Sequence, residues 1–343
     1  MKRKSFLQAT AALAGLTVLP TGTTYAVGNL ANTALPIIPS YLQKGDTIGV
    51  TSPAGYITLE EIEPAKQLME SWGFRVKLGN TIGKRHFTFG GTDAERKEDL
   101  QQMLNDKTIK AIMCARGGYG AVRIVDQLDW TAFKQQPKWV IGFSDITVLH
   151  NHINRNMGIA SIHSKMCNSF PSVWANADAQ QKETILSIQK ALTGVRMEYT
   201  AGINAFNKKG TATGVLVGGN LKTIESLAAS SSDLRTANKI LFVEDTGEYM
   251  YSMDRMFWNL KRSGKLDNLK ALIVGGFKEK KDAGDDDFGK TLQDVVLEKV
   301  KEYNYPVCFD FPVGHQRNNF ALKCGVTHQL VVTDQQVTLK EQY

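Results

Sequence analysis

Ser144 is the residue of this chain best placed for nucleophilic chemistry. It stands in Gly142-Phe143-Ser144-Asp145, after the apolar run Trp139-Val140-Ile141 and ahead of a helix-like stretch from Thr147. A serine on a sharp strand-to-helix turn is held exposed, and the backbone N–H groups of that turn can face a developing oxyanion. Ile146 replaces the second glycine of a G-x-S-x-G elbow, and the same placing also suits a helix N-cap. A serine hydroxyl needs a base, and the choice is His86, His150, His152, His163, His315 and His328. His315 ends Phe311-Pro312-Val313-Gly314-His315, a loop after a strand, where a ring can project into a cleft. His150 and His152 lie on the helix after Ser144, where His150 reads as structural. His163 follows Ile159-Ala160-Ser161-Ile162 and is a candidate to line a site. A carboxylate must hold the base in its useful tautomer. Glu244 ends the apolar run Ile240-Leu241-Phe242-Val243, where a charge needs a partner or solvent. Glu248 competes, four residues on. Both also suit capping or salt bridging near the next helix.

These side chains need elements to position them. Thr47 to Thr51, Arg75 to Leu78, Ile109 to Cys114 and Trp139 to Gly142 read as strands. Helical spacing runs from Leu59 to Trp72, Asp93 to Leu104, Val122 to Leu128 and onward from Thr147. Strands alternating with helices predict a doubly wound parallel α/β sheet. Ligands on such sheets sit at the carboxyl ends of strands. The turns Arg116-Gly117-Gly118-Tyr119-Gly120 and Gly142 to Ser144 both fall there. A polar helix over Asp178 to Leu192 closes this first domain, 40–192. An irregular stretch, 193–210, is the expected linker. A second, β-rich α/β domain follows over 211–343. It has strands at Ile240 to Val243 and Ala271 to Val274, a helix from Met253 to Lys261, and a hairpin of Leu330-Val331-Val332 with Gln336 to Leu339.

A length of 343 residues suits two domains. The first 26 residues read as a signal peptide: basic Lys2-Arg3-Lys4, an apolar stretch from Phe6 to Leu19, and small residues ending at Ala26. Export to the periplasm or cell envelope is therefore expected, with no membrane span left after processing. Lys4 stands where a twin-arginine signal has its second arginine, so the export route stays open. The leader supplies three basic charges, so a net charge of +7 becomes +4 on processing. The basic residues are scattered, and no nucleic-acid motif appears. Cys114, Cys167, Cys308 and Cys324 form no C-x-x-C pair, which argues against zinc. Cys114 and Cys308 lie in apolar runs and read as small core residues. Asp285-Asp286-Asp287 reads as a solvated loop, because no partner ligands lie at metal-binding spacing.

Five motifs, in order, resemble the LD-carboxypeptidase family, which includes the microcin immunity peptidases. They are Ala115 to Gly120, Gly142 to Thr147, Leu216-Val217-Gly218-Gly219-Asn220-Leu221, Leu241 to Asp245 with Glu248 and Asp254-Arg255, and Pro312 to His315. The resemblance implies Ser144 as nucleophile, His315 as base and then acid, and Glu244 as orienting carboxylate. It implies an oxyanion hole from the N–H groups of Gly118 and Asp145. Arg116, Tyr119, His163, Asn220 and Glu248 are its substrate-pocket candidates. It implies no metal and no cofactor, a homodimer, and release of the terminal D-Ala from a muropeptide or peptidoglycan stem. The alternatives are a microcin-immunity-type peptidase and an exported protein that binds wall peptides without cutting them. Two segments depart from the family pattern. Ser164-Lys165 replaces Gly-Pro after His163, and Ala228 to Ser232 stands where a Gly-Thr pair is usual. Both are candidates to border the pocket. A leader is also unusual beside family members that recycle wall fragments in the cytoplasm.

Overall fold

The computed structural model describes residues 36–281 and 288–342. The expected signal peptide and the Asp285-Asp286-Asp287 run lie outside the described residues. The first half carries β1 (Thr47–Thr51), β2 (Arg75–Leu78), β3 (Ile109–Cys114), β4 (Trp139–Gly142) and β5 (Ser161–His163). Then come β6 (Glu198–Ala201), β7 (Gly210–Asn220), β8 (Lys239–Glu248), β9 (Ala271–Glu279) and β10 (Val307–Cys308). The chain ends in β11 (Leu322–Cys324), β12 (Thr327–Val332) and β13 (Val337–Glu341).

Two mixed sheets result. The first has the order β11-β5-β4-β3-β1-β2, and the second β10-β9-β8-β7-β12-β13-β6. β1 to β5 pair in parallel, as their alternation with helices predicts, and β11 adds an antiparallel edge. In the second sheet β7 to β10 are parallel, while β12, β13 and β6 extend it antiparallel. β1 is buried at every position, which explains its unbroken β-branched and apolar run. The helices Leu59–Ser71 and Asp93–Asn105 each start at a capping box, Thr58 with Glu61 and Thr92 with Glu95. The stretch read as a helix from Val122 is instead two 3-10 turns, Ala121–Arg123 and Val125–Gln127.

The boundary between the halves is less clean than the sequence suggests. β6 lies inside the expected linker, and β11 comes from the expected second domain yet pairs with β5. β6 alternates exposed Glu198 and Thr200 with buried Tyr199 and Ala201, a period of two over too few residues to stand out. One buried apolar cluster includes Ile48, Val50 and Trp139 of the first sheet with Ile240, Phe242 and Leu339 of the second. Each such side chain, fully enclosed, contributes about 1.5–3 kcal/mol. The described residues accordingly belong to one compact unit. The four thiols are free and buried, and burial raises all of their pKa values, those of Cys167 and Cys324 to about 12.

A charged pair also ties the sheets. Lys323 on β11 lies 3.1 Å from Glu341 on β13, and both side chains are fully buried. Removing one member of such a pair takes from the other a buried counter-charge. Lys323→Met is expected to lower the unfolding free energy by about 3–5 kcal/mol, and adding Glu341→Leu should recover most of it. Urea unfolding of the three proteins measures this; equal loss in the single and double variants would contradict it.

Candidate active site

Ser144 follows β4 at φ 60°, a left-handed conformation that is uncommon for a residue with a Cβ. Such backbone costs roughly 1–3 kcal/mol and persists where surroundings impose it. The surroundings here are specific. His150, on the helix Thr147–Met157, places Nε2 2.9 Å from the Gly142 carbonyl oxygen, so that nitrogen donates. Burial pushes the His150 pKa down to about 4, which keeps the ring neutral. The N-cap of that helix is Ile146, with no side-chain cap, so Ser144 does not serve as the cap.

The glycine-rich turn after β3 is clamped against this elbow. Gly55 N–H donates to the Gly117 carbonyl at 2.8 Å. Arg96, fully buried, donates to the carbonyls of Pro53 and Gly120. Asp145 Oδ2 accepts the Ala121 N–H at 2.8 Å, joining the turn to the elbow. Burial raises the Asp145 pKa to about 6. A Cβ on Gly117 would sit 3.0 Å from Ser144 Cβ, so the turn approaches the serine where only glycine fits without displacement. The N–H groups of Gly118 and Asp145 have no backbone carbonyl partner among the described residues.

The candidate base, His315, is held by the second sheet. Glu244 on β8 is fully buried, and its Oε2 lies 2.6 Å from His315 Nδ1. The same oxygen accepts the His315 backbone N–H at 3.2 Å. Asn319 Oδ1 takes the Gly314 N–H at 2.8 Å and fixes the turn. Gly314 has φ 100°, and a Cβ there would lie 2.3 Å from Glu244 Cβ. Glu248 is elsewhere engaged, accepting from Ser252 Oγ at 2.6 Å. The geometry thus gives His315 to Glu244 rather than to its competitor.

The two lobes meet through Phe143 and Thr147, which flank the Ser144 turn. The Phe143 ring centroid is 4.9 Å from that of His315. Asn220 N–H at the end of β7 donates to Thr147 Oγ1 at 3.0 Å. Ser144 Oγ and His315 are not hydrogen-bonded to each other among the described contacts; both are partly exposed on this crevice.

The pocket candidates divide. Arg116 donates to the Tyr56 carbonyl and lies over the Tyr56 ring, and half-exposed Tyr119 stands beside Phe89. His163 is fully buried beneath Phe143 and Phe242, so it supports the crevice rather than lining it. Asn220 is committed to structure: its side chain caps the helix Leu221–Ser226 and donates to Asp245. Burial raises Asp245 to about 6. Ser231 and Ser232, in the second departing segment, bond Asp126 and His152. Lys165, a departure from the family pattern, places its Nζ 5.6 Å from the Phe143 centroid. Two cavities of about 560 and 430 Å³ lie off the crevice, lined by Met250, Met253 and Phe277 and by Tyr199, Pro312 and Phe320. Neither is lined by Ser144, Glu244 or His315.

Known proteins share this arrangement of sheets. The LD-carboxypeptidase N-terminal domain matches residues 48–164, and the LD-carboxypeptidase C-terminal domain matches 213–330. The probable murein peptide carboxypeptidase of Bacillus subtilis (strain 168) is 32% identical over 295 residues, covering 84% of this chain and 89% of that one. The murein tetrapeptide carboxypeptidase of Pseudomonas aeruginosa is 29% identical over 285 residues, covering 82% and 91%. The crystal structure of muramoyltetrapeptide carboxypeptidase from Oxalobacter formigenes superimposes with a TM-score of 0.77 at 26% identity, covering 87% of this chain and 99% of that chain. With both domain patterns matched in order, over more than half its length, the chain belongs to the LD-carboxypeptidase family.

Proposed function

We propose that this protein is a serine carboxypeptidase that removes the C-terminal D-Ala from peptidoglycan tetrapeptides, using Ser144, His315 and Glu244. The observation that carries the reading is the 2.6 Å contact between buried Glu244 and His315 Nδ1, beside the strained Ser144 turn. With Nδ1–H donated to the carboxylate, Nε2 is left to accept a proton. Substrate binding brings the Ser144 hydroxyl and the imidazole into a hydrogen bond. His315 then takes the Ser144 hydroxyl proton as the oxygen attacks the carbonyl of the L-centre. The oxyanion is received by the N–H groups of Gly118 and Asp145, each worth roughly 2.7–4 kcal/mol. His315 returns the proton to the leaving D-Ala amine. A water, deprotonated by the same imidazole, hydrolyses the acyl group from Ser144.

The relatives' names support the substrate class, since two of them are called murein carboxypeptidases. The leader-like first 26 residues support action in the periplasm or cell envelope, on free muropeptides or wall stems. Assembly as a homodimer remains part of the proposal, on the family resemblance alone.

Ser144→Ala is expected to lower D-Ala release from a purified tetrapeptide by roughly 10⁴-fold or more, with the thermal melt unchanged. Retention of activity would contradict the nucleophile assignment. Tetrapeptide binding by the wild-type protein without any D-Ala release would instead favour a capture protein. Glu244→Gln should reduce kcat by about 10²–10⁴-fold, and Glu248→Gln by much less. The reverse order would move the orienting role to Glu248. Gly314→Ala should reduce kcat by about 100-fold, because the added methyl must displace Glu244 or His315. Wild-type turnover in that variant would show that the tight approach is dispensable.

A further inference from the structure

A half-buried lysine between the Ser144 and His315 segments has no salt-bridge partner among the described residues. Lys165 follows β5, in the segment that departs from the family's Gly-Pro. Its Nζ donates to the Gln316 carbonyl at 2.7 Å, reaching from the first sheet to the loop that carries His315. The same ammonium lies over the Phe143 ring. Its two supports, Phe143 and Gln316, are the chain neighbours of Ser144 and His315. The cation is thereby tied to the two chain segments that carry Ser144 and His315.

The electrostatics around Lys165 invite an anion. The carboxylate that acts on it is Glu244, already engaged by His315. A second lysine, Lys278 at the exposed end of β9, is close enough to repel it. Burial, and then Lys278, push the Lys165 pKa down to about 8. An ammonium in such surroundings is stabilised by a carboxylate entering from outside. A peptidase that removes one terminal residue presents such a group, because the free α-carboxylate lies one residue beyond the attacked carbonyl.

We infer that Lys165, with Lys278 behind it, is a carboxylate-binding subsite that holds the α-carboxylate of the leaving C-terminal residue. The inference rests on the carboxypeptidase reading proposed above. It makes Lys165 a specificity determinant for free C-termini. A stem peptide carries a second carboxylate when its third residue is diaminopimelate, so the source of the carboxylate must be tested.

Four peptides serve: tetrapeptides with L-Lys or meso-diaminopimelate at the third position, each ending in D-Ala or D-alaninamide. Binding is measured by calorimetry on Ser144→Ala, and turnover on the Ser144 protein. Ser144→Ala should bind the D-Ala peptides at least about 30-fold more tightly than the amides, whichever third residue is present. Adding Lys165→Met should remove that difference, while Lys165→Arg should keep much of it. In turnover, Lys165→Met should raise KM for D-Ala peptides more than it lowers kcat. Lys278→Met should act in the same direction, but less.

Equal affinity of Ser144→Ala for acid and amide peptides would overturn the subsite. So would a Lys165→Met defect of the same size on both, which would mark a structural role. A defect confined to diaminopimelate peptides would assign the lysine to the third residue and also overturn the inference. Carboxylate-selective binding without any wild-type D-Ala release would leave the subsite standing and sink the carboxypeptidase reading instead.

Discussion

The contact between Glu244 Oε2 and His315 Nδ1 is the constraint from which the rest of the site follows. A carboxylate with no solvent exposure is costly unless hydrogen-bonded. Glu244 meets that condition at Oε2, which accepts from the ring and the backbone N–H of His315, while its buried Oε1 has no hydrogen-bond partner among the described residues. The price of this closeness is a loop that presses on β8 where no side chain fits. Gly314 supplies it, with its positive φ and no Cβ. The bridge between Gly276 and Gly314 lays the loop along the end of β9. The imidazole is thus fixed by strand ends and glycines, with little freedom left to lose on forming the reactive geometry.

The Ser144 half obeys a similar logic on the other sheet. Ser144 is held by a buried histidine on its own helix, a buried arginine behind the glycine-rich turn, and the Asp145 carboxylate between them. Thr147 and Asn220 then connect that helix to the strand beside β8. β11 and the Lys323–Glu341 pair add a second connection, remote from the crevice. The position of the His315 ring relative to the Ser144 hydroxyl therefore depends on the shared core as much as on local turns.

Much of this was legible in the sequence, for identifiable reasons. β3 and β4 are mostly buried runs that end at Cys114 and Gly142, where the glycine-rich turn and the Ser144 elbow follow, and Glu244 comes directly after the buried apolar run Ile240 to Val243 within β8. The residue types at 144, 244 and 315 suggested their chemistry, but the pairing of Glu244 over Glu248 was not readable. It depends on which face of β8 meets the Gly314 turn, a contact across 71 residues. His163 looked like a wall residue because its strand was visible but the two phenylalanines enclosing it were not. β6 and β11 escaped because pairing partners distant in the chain, rather than their own few residues, make them strands. Lys165 carried the weakest signal of all, a substitution within a motif, and only the fold brings it over Phe143.

The proposed activation of the Ser144 hydroxyl by Glu244 and His315 is open to a direct measurement. Covalent labelling with a fluorophosphonate, mapped by peptide mass spectrometry, reads that activation directly. One phosphonyl group on Ser144 is expected, with a labelling rate that falls steeply in Glu244→Gln. Labelling of Ser144 at the same rate in both proteins, or hydrolysis that survives full occupancy of Ser144, would contradict it.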